Sequence, residues 1–253
     1  MINVILSGAN GKMGHTVANM IKEKQGIEVC AGIDVHTEAY GDFPIVSVPR
    51  ELPPTGDVII DFSNPAALLT LLPFAAERQI PAVICTTGLG KEHHSLLEAV
   101  SKEIPVFFSA NMSLGMNLLI ELAKKATAIL DGAFDIEIVE KHHNRKLDAP
   151  SGTAMAIADA IAEQREKPSE YIYDRHSVRR SRGKQEIGIH AVRGGTIVGE
   201  HEVIFAGNDE IITIGHSAMS RDIFAVGAVR AATFIVDKPA GIYNMRDLIE
   251  AQA

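Results

Sequence analysis

The first 110 residues alternate short apolar runs with stretches whose apolar positions recur every three or four residues. The apolar runs predict buried β-strands, and the stretches between them predict helices. Strands that alternate with helices favour a parallel sheet built from βαβ units. The predicted strands are INVILSG, EVCAGID, DVIIDFS, PAVICTTG and PVFFSA, and the predicted helices include GKMGHTVANMIKE and LLTLLPFAAE.

The pattern changes after this region. The segment NMSLGMNLLIELAKKATAIL predicts a long helix, and FDIEIVEKHH predicts a strand. Between about 186 and 216, three alternating runs separated by the turn signals RGG and AGNDE predict an antiparallel meander. The tail, DIFAVGAVRAATFIV and KPAGIYNMRDLI, predicts helices that return to the first domain. We therefore expect two domains, one of residues 1–111 with 222–253 and one of residues 112–221.

Composition excludes several classes of protein. The 253 residues are 22% charged with a net charge of -8, which provides no overall basic surface for nucleic acid. No apolar run approaches the ~18 residues that span a bilayer, and the N-terminus does not resemble a signal peptide, so we expect no membrane contact. Cys30 and Cys85 lie in apolar runs, which predicts buried, reduced thiols and a cytoplasmic protein.

A glycine-rich loop follows the first predicted strand, with a GxxGxxG spacing that is less common than GxGxxG and is also found in turns without a ligand. Asp34 ends the second predicted strand about 20 residues later, where a carboxylate can bind the ribose hydroxyls of a dinucleotide. Together they predict a Rossmann-type domain that binds a dinucleotide, although Asp34 can also be a solvated strand end. The loop is Ser7, Gly8, Ala9, Asn10, Gly11, Lys12, Met13 and Gly14.

The same carboxylate bears on the choice of cofactor. Asp34 would repel a 2′-phosphate and so favours NADH, whereas Lys12 and His36 partly offset that repulsion and keep NADPH compatible. Two later strand ends belong to the edge where open α/β sheets bind ligands. Their residues predicted to line the nicotinamide side are Thr86, Thr87, Ala110 and Asn111.

A basic segment, EKHHNRKLDAPSGT at 140–153, joins a predicted strand to a predicted helix. A charge run is usually a solvated face, but this one leads into Pro150 and then Ser151, Gly152 and Thr153 at the helix start. Hydroxyls and N–H groups at a helix N-terminus form a carboxylate site. With histidine and lysine as proton donors beside it, the segment predicts an anionic substrate that is held and protonated while it accepts a hydride.

Two other chemistries fit less well. Neighbouring histidines on a strand point to opposite faces and no cysteine or carboxylate lies at ligand spacing, so we expect no metal. A nucleophilic cysteine would have to be Cys85 or Cys30, and neither has the helix-start context that lowers a thiol pKa.

The order of these motifs resembles the 4-hydroxy-tetrahydrodipicolinate reductase family almost from end to end. The most specific strings are EKHHNRKLDAPSGTA and RGGTIVGEHEVIFAG, and GANGKMG, CTTG, SANMSLGMN and SRDIFAVGAVRAA occur in the same order. The resemblance implies that His142 donates and accepts the catalytic proton, that Lys146 donates a proton, and that His143, Gly152 and Thr153 bind a dicarboxylate substrate. It also implies nucleotide-binding residues at Gly8 to Met13, Asp34, Cys85, Thr86, Thr87, Ser109, Ala110, Asn111 and Met112.

The family's reaction removes water from a hydroxylated ring and reduces the conjugated imine with NADH or NADPH, on the diaminopimelate route to lysine. The resemblance further implies a homotetramer that associates through the sheet of an α+β second domain. Two alternatives stay open: another Rossmann-fold reductase of a small anionic metabolite, and a module that senses NAD(P)H without turnover. The arginine-rich stretch, residues 171–184, matches no fixed family pattern and is expected to be a mobile or solvated loop.

Overall fold

The computed structural model describes residues 1–53 and 55–252. They form two compact units, a first unit of residues 1–114 with the chain from Asp222 onward, and a second unit of residues 115–221. The strands are β1 (Ile2–Ser7), β2 (Ile27–Ile33), β3 (Ile45–Val46), β4 (Val58–Asp61), β5 (Ala82–Ile84), β6 (Pro105–Phe108), β7 (Asp135–His142), β8 (Glu170–Ile172), β9 (Glu186–Arg193), β10 (Gly199–Ala206), β11 (Ile211–Ala218) and β12 (Gly241–Tyr243). The helices are α1 (Lys12–Lys22), α2 (Pro65–Arg78), α3 (Lys91–Val100), α4 (Leu114–Leu130), α5 (Gly152–Ala162), α6 (Asp222–Ile235) and α7 (Met245–Glu250), with a short 3-10 turn at Pro49–Glu51.

The first unit contains a seven-stranded sheet in the order β3, β2, β1, β4, β5, β6, β12, with every neighbouring pair parallel. Its strand order reverses between β1 and β4, which is the topology of dinucleotide-binding folds. Residues alternate between two cores: Val4 and Leu6 pack on the side of α1 and α6, and Ile5 packs on the side of α2 and α3. The predicted Rossmann-type parallel sheet is confirmed.

The end of the chain differs from the predicted helical tail. Gly241–Tyr243 forms a short strand, β12, which pairs in parallel with β6 and extends the sheet. The last helix, α7, begins only after Asn244, whose side chain accepts a hydrogen bond from the backbone N–H of Arg246. A three-residue strand is too short to show a period of two, so its place in the sheet depends on pairing rather than on pattern.

The second unit contains a five-stranded mixed sheet in the order β11, β10, β7, β9, β8. The antiparallel or mixed sheet expected for this domain is confirmed, and β10 and β11 pair antiparallel as predicted. The meander predicted for 186–216 is wrong at β9, because β7 lies between β9 and β10 and pairs in parallel with β9. The connection between β9 and β10 passes the end of β7, where the backbone N–H of Gly194 donates to the carbonyl of His142 at 2.9 Å. Alternating apolar residues specify a buried face but not which strand is the neighbour.

The core of the second unit lies on one face of this sheet, under α4 and α5. Ile136 and Ile138 of β7 are buried there against Ile157 and Ile161 of α5. This packing holds the start of α5 close to the end of β7. Within the described ranges, no helix is both long and apolar enough to cross a membrane.

Candidate active site

The glycine loop turns sharply between β1 and α1. Gly8 has a φ of +76°, and a Cβ there would lie 2.7 Å from the carbonyl oxygen of Phe62. A Cβ on Gly14 would lie 2.3 Å from the carbonyl oxygens of both Gly8 and Ala9. The loop therefore needs glycine at two positions, once for the left-handed turn and once for the contact between helix and strand. This is the geometry expected of a loop that approaches a pyrophosphate.

A cavity of about 520 Å³ opens beside this loop in the first unit. Gly8 and Gly11 line it, together with Asp34 after β2 and with Ser63 and Asn64 at the start of α2. The cavity thus lies at the carboxyl ends of the strands, at the point where the strand order reverses. Its volume is within the range of cofactor sites, and helix N-termini at its edge favour an anion.

Asp34 connects the end of β2 to the glycine loop. One carboxylate oxygen accepts the backbone N–H of Asn10 at 2.9 Å, and the other accepts the backbone N–H of His36 at 3.0 Å. The amide of Asn10 also donates to the carbonyl of Glu38 at 3.1 Å. The side chains of Lys12 and His36 are exposed. Asp34 therefore shapes the loop, and it also lines the cavity.

A buried carboxyl group that sequence reasoning missed holds three strand ends together. Asp61, at the end of β4, is fully buried and accepts hydrogen bonds from Ser63 Oγ at 2.5 Å and Thr86 Oγ1 at 2.6 Å. Burial raises the pKa of Asp61, although these hydroxyls and that of Ser7 oppose the rise. The run DVIIDFS showed only a strand, and nothing in it indicated that the aspartate would face hydroxyls from other strands.

The predicted residues after β5 differ in accessibility. Cys85 and Thr86 are buried, and the hydroxyl of Thr86 is taken by Asp61, whereas Thr87 is exposed. Burial raises the pKa of Cys85 well above its ordinary value and also raises that of Cys30, so both carry neutral thiols rather than nucleophilic thiolates. Only Thr87 of this trio presents a side chain at the surface.

The segment after β6 folds back on itself. Ser109 Oγ donates to the carbonyl of Asn111 at 2.8 Å, and the side-chain oxygen of Asn111 accepts the N–H of Ser113 at 2.9 Å. Met112 is buried, and Ala110 is exposed. A Cβ on Gly227 of α6 would overlap the carbonyl oxygen of Met112, so α6 fixes this segment through a glycine contact.

In the second unit, His142 ends β7 and is held by a buried carboxylate. Its Nδ1 lies 2.6 Å from Glu140 Oε2, and Glu140 is 0% exposed. Arg193 Nη1 and Nη2 each donate to one Glu140 oxygen at 2.7 Å, and the backbone N–H of Ser151 donates at 2.9 Å. Sequence reasoning found His142 but missed Glu140 and Arg193, because 53 residues separate them.

Lys146 and the start of α5 already bind a carboxylate of this chain. Lys146 Nζ lies 2.9 Å from Asp148 Oδ1. The hydrogen bond from Lys146, with a smaller contribution from the backbone N–H of Gly152, holds the pKa of Asp148 below its ordinary range. Partial burial, together with Arg145 and other neighbouring cations, lowers the pKa of His143. Lys141 is likewise paired with Glu200, so the basic segment gathers its remaining positive charge around His143, where it favours an anion.

In the predicted Ser-Gly-Thr turn, the hydroxyl of Ser151 is already used to cap the N-terminus of α5. Ser151 is 2% exposed, and its hydroxyl accepts the backbone N–H of Ala154 at 3.1 Å and contacts His201 Nε2 at 3.1 Å. It is an N-cap, whereas Gly152 and Thr153 lie nearer the surface. His201, which sequence reasoning also missed, has its pKa lowered to about 4 by burial and by His142.

The arginine-rich stretch is exposed from residue 173 to 181, as expected of a solvated loop, but three of its arginines form ion pairs and Arg182 is partly buried. Arg175 pairs with Glu186 at 2.6 Å, Arg180 with Glu186 at 3.2 Å, and Arg182 with Glu137 at 2.9 Å. The two glutamates lie on the adjacent strands β7 and β9, so folding brings their charges together. Among residues 1–53 and 55–252, no group of three or more His, Cys, Asp or Glu side chains is placed to hold a metal ion.

Comparison with known proteins matches both units. The family model described as dihydrodipicolinate reductase, N-terminus, matches residues 2–112, and the model of its C-terminus matches residues 115–249. The chain belongs to the dihydrodipicolinate reductase family. The resemblance noted in the sequence is thereby confirmed.

Similar proteins match this chain over almost its whole length. The 4-hydroxy-tetrahydrodipicolinate reductase of Caldanaerobacter subterraneus subsp. tengcongensis is 54% identical over 99% of both chains. That of Clostridium tetani is 47% identical over 97% of this chain and 96% of its own. The solved structure of a dipicolinate-bound dihydrodipicolinate reductase from Paenisporosarcina sp. TG-14 matches with a TM-score of 0.80 at 26% identity, covering 96% of this chain and 97% of that one.

Proposed function

We propose that this chain is an NAD(P)H-dependent 4-hydroxy-tetrahydrodipicolinate reductase on the diaminopimelate route to lysine. It converts (2S,4S)-4-hydroxy-2,3,4,5-tetrahydrodipicolinate to tetrahydrodipicolinate with loss of water. The observation that carries this proposal is the carboxylate of Asp148, which is bound by Lys146 and by the backbone N–H of Gly152 at the start of α5, on the segment that follows His142. These groups bind a carboxylate and supply protons in one place, as the reduction of a dicarboxylate imine requires.

The first unit would hold the nucleotide. The turn at Gly8 and the helix start at Lys12 would bind the pyrophosphate, and Asp34 would accept hydrogen bonds from the adenosine ribose. Thr87 and the backbone from Ser109 to Met112 would border the nicotinamide. When bound, NAD(P)H supplies the hydride. The cavity and the glycine geometry support this assignment.

The second unit would hold the substrate. His143, Gly152 and Thr153 would bind one carboxylate, with N–H groups at the start of α5 and the positive surface as the attraction. Lys146 would exchange Asp148 for a substrate carboxylate or donate its proton to the reduced ring. The dipicolinate bound to the relative from Paenisporosarcina sp. TG-14 supports a planar dicarboxylate as the class of ligand.

The proton steps are assigned to two side chains. The reduced ring carries negative charge after the hydride arrives, and Lys146 is a cationic acid on the segment that follows His142. His142 exchanges a proton with the substrate or with Lys146. Because Cys85 and Cys30 are neutral thiols, no covalent thioester step is part of this mechanism.

Substrate identity is tested by supplying fresh substrate from a dihydrodipicolinate synthase and following NADH and NADPH absorbance. We expect oxidation of both cofactors, with a modest preference for NADH because Asp34 lies in the cavity. Oxidation of neither cofactor would refute the proposed reaction. A strict requirement for NADPH would refute the argument from Asp34.

Lys146→Ala separates an enzyme from a nucleotide sensor. We expect turnover to fall about 10²–10⁴-fold, the contribution typical of a positioned acid. NADH affinity, measured by its fluorescence, should stay unchanged because the cofactor cavity is lined by first-unit residues. Arg180→Ala, a half-exposed cation elsewhere in the second unit, is the control. Full turnover in Lys146→Ala would remove this residue from the mechanism.

We also propose a homotetramer assembled through the sheet of the second unit. β11 is an edge strand of that sheet, and Ile211 and Ile212 on it are 68% and 39% exposed. An edge strand with exposed apolar side chains is a surface that natural proteins usually cover. Light scattering coupled to size exclusion measures the mass directly, and a monomer at micromolar concentration would refute this assembly.

A further inference from the structure

Glu140 is a buried carboxylate that no part of the reaction above uses directly. It lies on β7 opposite His201 of β10, and its two oxygens accept four hydrogen bonds of 2.6–2.9 Å. The donors are a histidine ring nitrogen, two guanidinium nitrogens and a backbone N–H at the start of a helix. Buried carboxylates with this many donors are held in one orientation.

The charge state of Glu140 decides which nitrogen of His142 bears hydrogen. Burial raises the pKa of Glu140, but the hydrogen bonds from Arg193, His142 and Ser151 outweigh it and leave the pKa below its ordinary value. An ionised carboxylate has no hydrogen to donate. Nδ1 of His142, 2.6 Å away, must therefore be the donor. In neutral His142 the lone pair then lies on Nε2.

The surroundings leave Nε2 as the available nitrogen. A Cβ on Gly199 would lie 3.1 Å from His142 Nε2, so the absence of a side chain there keeps this atom uncovered. His201 meets the His142 ring edge-on at a centroid distance of 5.2 Å, and its pKa of about 4 makes it a neutral neighbour. Of the other groups near His142, Arg193 is already paired with Glu140.

We propose that Glu140 is a positioning residue that fixes the Nδ1–H tautomer of His142, so that Nε2 alone exchanges the catalytic proton. This inference rests on the proposed function for its kinetic consequence, but not for the tautomer itself. The second oxygen binds the N–H of Ser151 and so ties the start of α5 to the same carboxylate. One buried group thus sets both the proton-transfer atom and the helix end beside it.

The tautomer is tested on the whole protein with ¹⁵N-labelled histidine and long-range ¹H–¹⁵N correlation spectra above neutral pH. In the wild type we expect Nδ1 of His142 to be the protonated nitrogen and Nε2 the unprotonated one. The peaks are assigned with His142→Gln. A wild-type spectrum that shows hydrogen on Nε2 would overturn the proposal without any further variant and independently of the enzymatic reaction.

Glu140→Gln leaves one acceptor oxygen for four donors, so the histidine tautomer should become mixed or change to Nε2–H. We expect kcat to fall about 10–100-fold with a smaller change in KM, as for other residues that orient a reacting group. Glu140→Asp, which keeps the charge, should restore the Nδ1–H tautomer and part of kcat. Unchanged kcat in a folded Glu140→Gln protein would contradict the proposal.

Glu137→Gln is a matched control on the same strand. Glu137 also accepts hydrogen bonds from a histidine and two arginines, His190, Arg175 and Arg182, at 2.8–2.9 Å. If loss of a carboxylate on β7 acts only through stability, both variants should lose activity alike, which would count against the proposal.

Gly199→Ala is a second variant, which should lower kcat while His142 keeps its tautomer, because its methyl group covers Nε2. If the wild type has the expected tautomer but reduces no substrate, the proposed function fails and the tautomer assignment stands.

Discussion

Arg193→Ala should weaken the second unit and give its stability a new dependence on pH. The change removes two charge-assisted hydrogen bonds of 2.7 Å from a carboxylate that is 0% exposed. Removing one partner of a buried ion pair costs about 3–5 kcal/mol. Because His142 and the N–H of Ser151 still bind Glu140, we expect a value near the lower limit, about 3 kcal/mol.

The sign of the pH effect follows from Glu140. In the wild type its pKa lies below the ordinary value, so the carboxylate is ionised in both folded and unfolded chains above about pH 5 and adds no slope there. Without Arg193, we expect burial to outweigh the remaining hydrogen bonds from His142 and Ser151 and to raise the folded pKa of Glu140 above the unfolded one. The folded state then binds more protons, so its stability falls as pH rises, and the loss should be larger at pH 8 than at pH 5.

The assay is urea unfolding followed by circular dichroism at both pH values. Hydrogen exchange of β7 peptides assigns the transition to the second unit, because two units need not unfold together. Arg180→Ala is the control: this guanidinium is 53% exposed, and its buried partner Glu186 keeps Arg175 and the N–H of Gly183, so its loss should cost less than ~1 kcal/mol. An Arg193→Ala deficit equal to that of the control, or one independent of pH, would refute the reasoning.

Four further predictions test the two sites. Gly8→Ala should lower NADH affinity ~5–100-fold in fluorescence titrations, since overpacking commonly costs 1–3 kcal/mol, whereas Gly26→Ala, also at positive φ but in open space, should leave the affinity unchanged. Asp34→Ala should raise the NADPH/NADH ratio of kcat/KM by ~5–10-fold, the effect of about 1 kcal/mol of repulsion, and an unchanged ratio would contradict this. Asp148→Asn should lower the substrate KM by ~2–5-fold, because an exposed ion pair worth up to 1 kcal/mol no longer competes, and an increase would show that Asp148 aids binding. In the native protein, Cys85 should resist Ellman's reagent until denaturant is added, and rapid labelling at neutral pH would contradict its burial.

Several features could be predicted from the sequence because they are local. The period of apolar residues predicted the βαβ units, and the glycines at 8, 11 and 14 predicted the turn into α1. The order of motifs predicted the family, and the proline before Ser151 predicted the start of α5. Apart from the order of motifs, which runs along the whole chain, each of these depends on neighbours within a few residues, where spacing along the chain and spacing in the fold coincide.

Other features were decided only by the tertiary structure. The placement of β7 between β9 and β10, and of β12 beside β6, depends on which strand edges meet, and strand periodicity does not encode the partner. Thr86 contacts Asp61 across 25 residues, and Arg193 contacts Glu140 across 53. From the sequence alone, the carboxylate of Glu140 is equally compatible with a solvated position on the surface. Only burial next to its donors makes Glu140 part of the site, because there the lost hydration must be replaced by hydrogen bonds from distant residues.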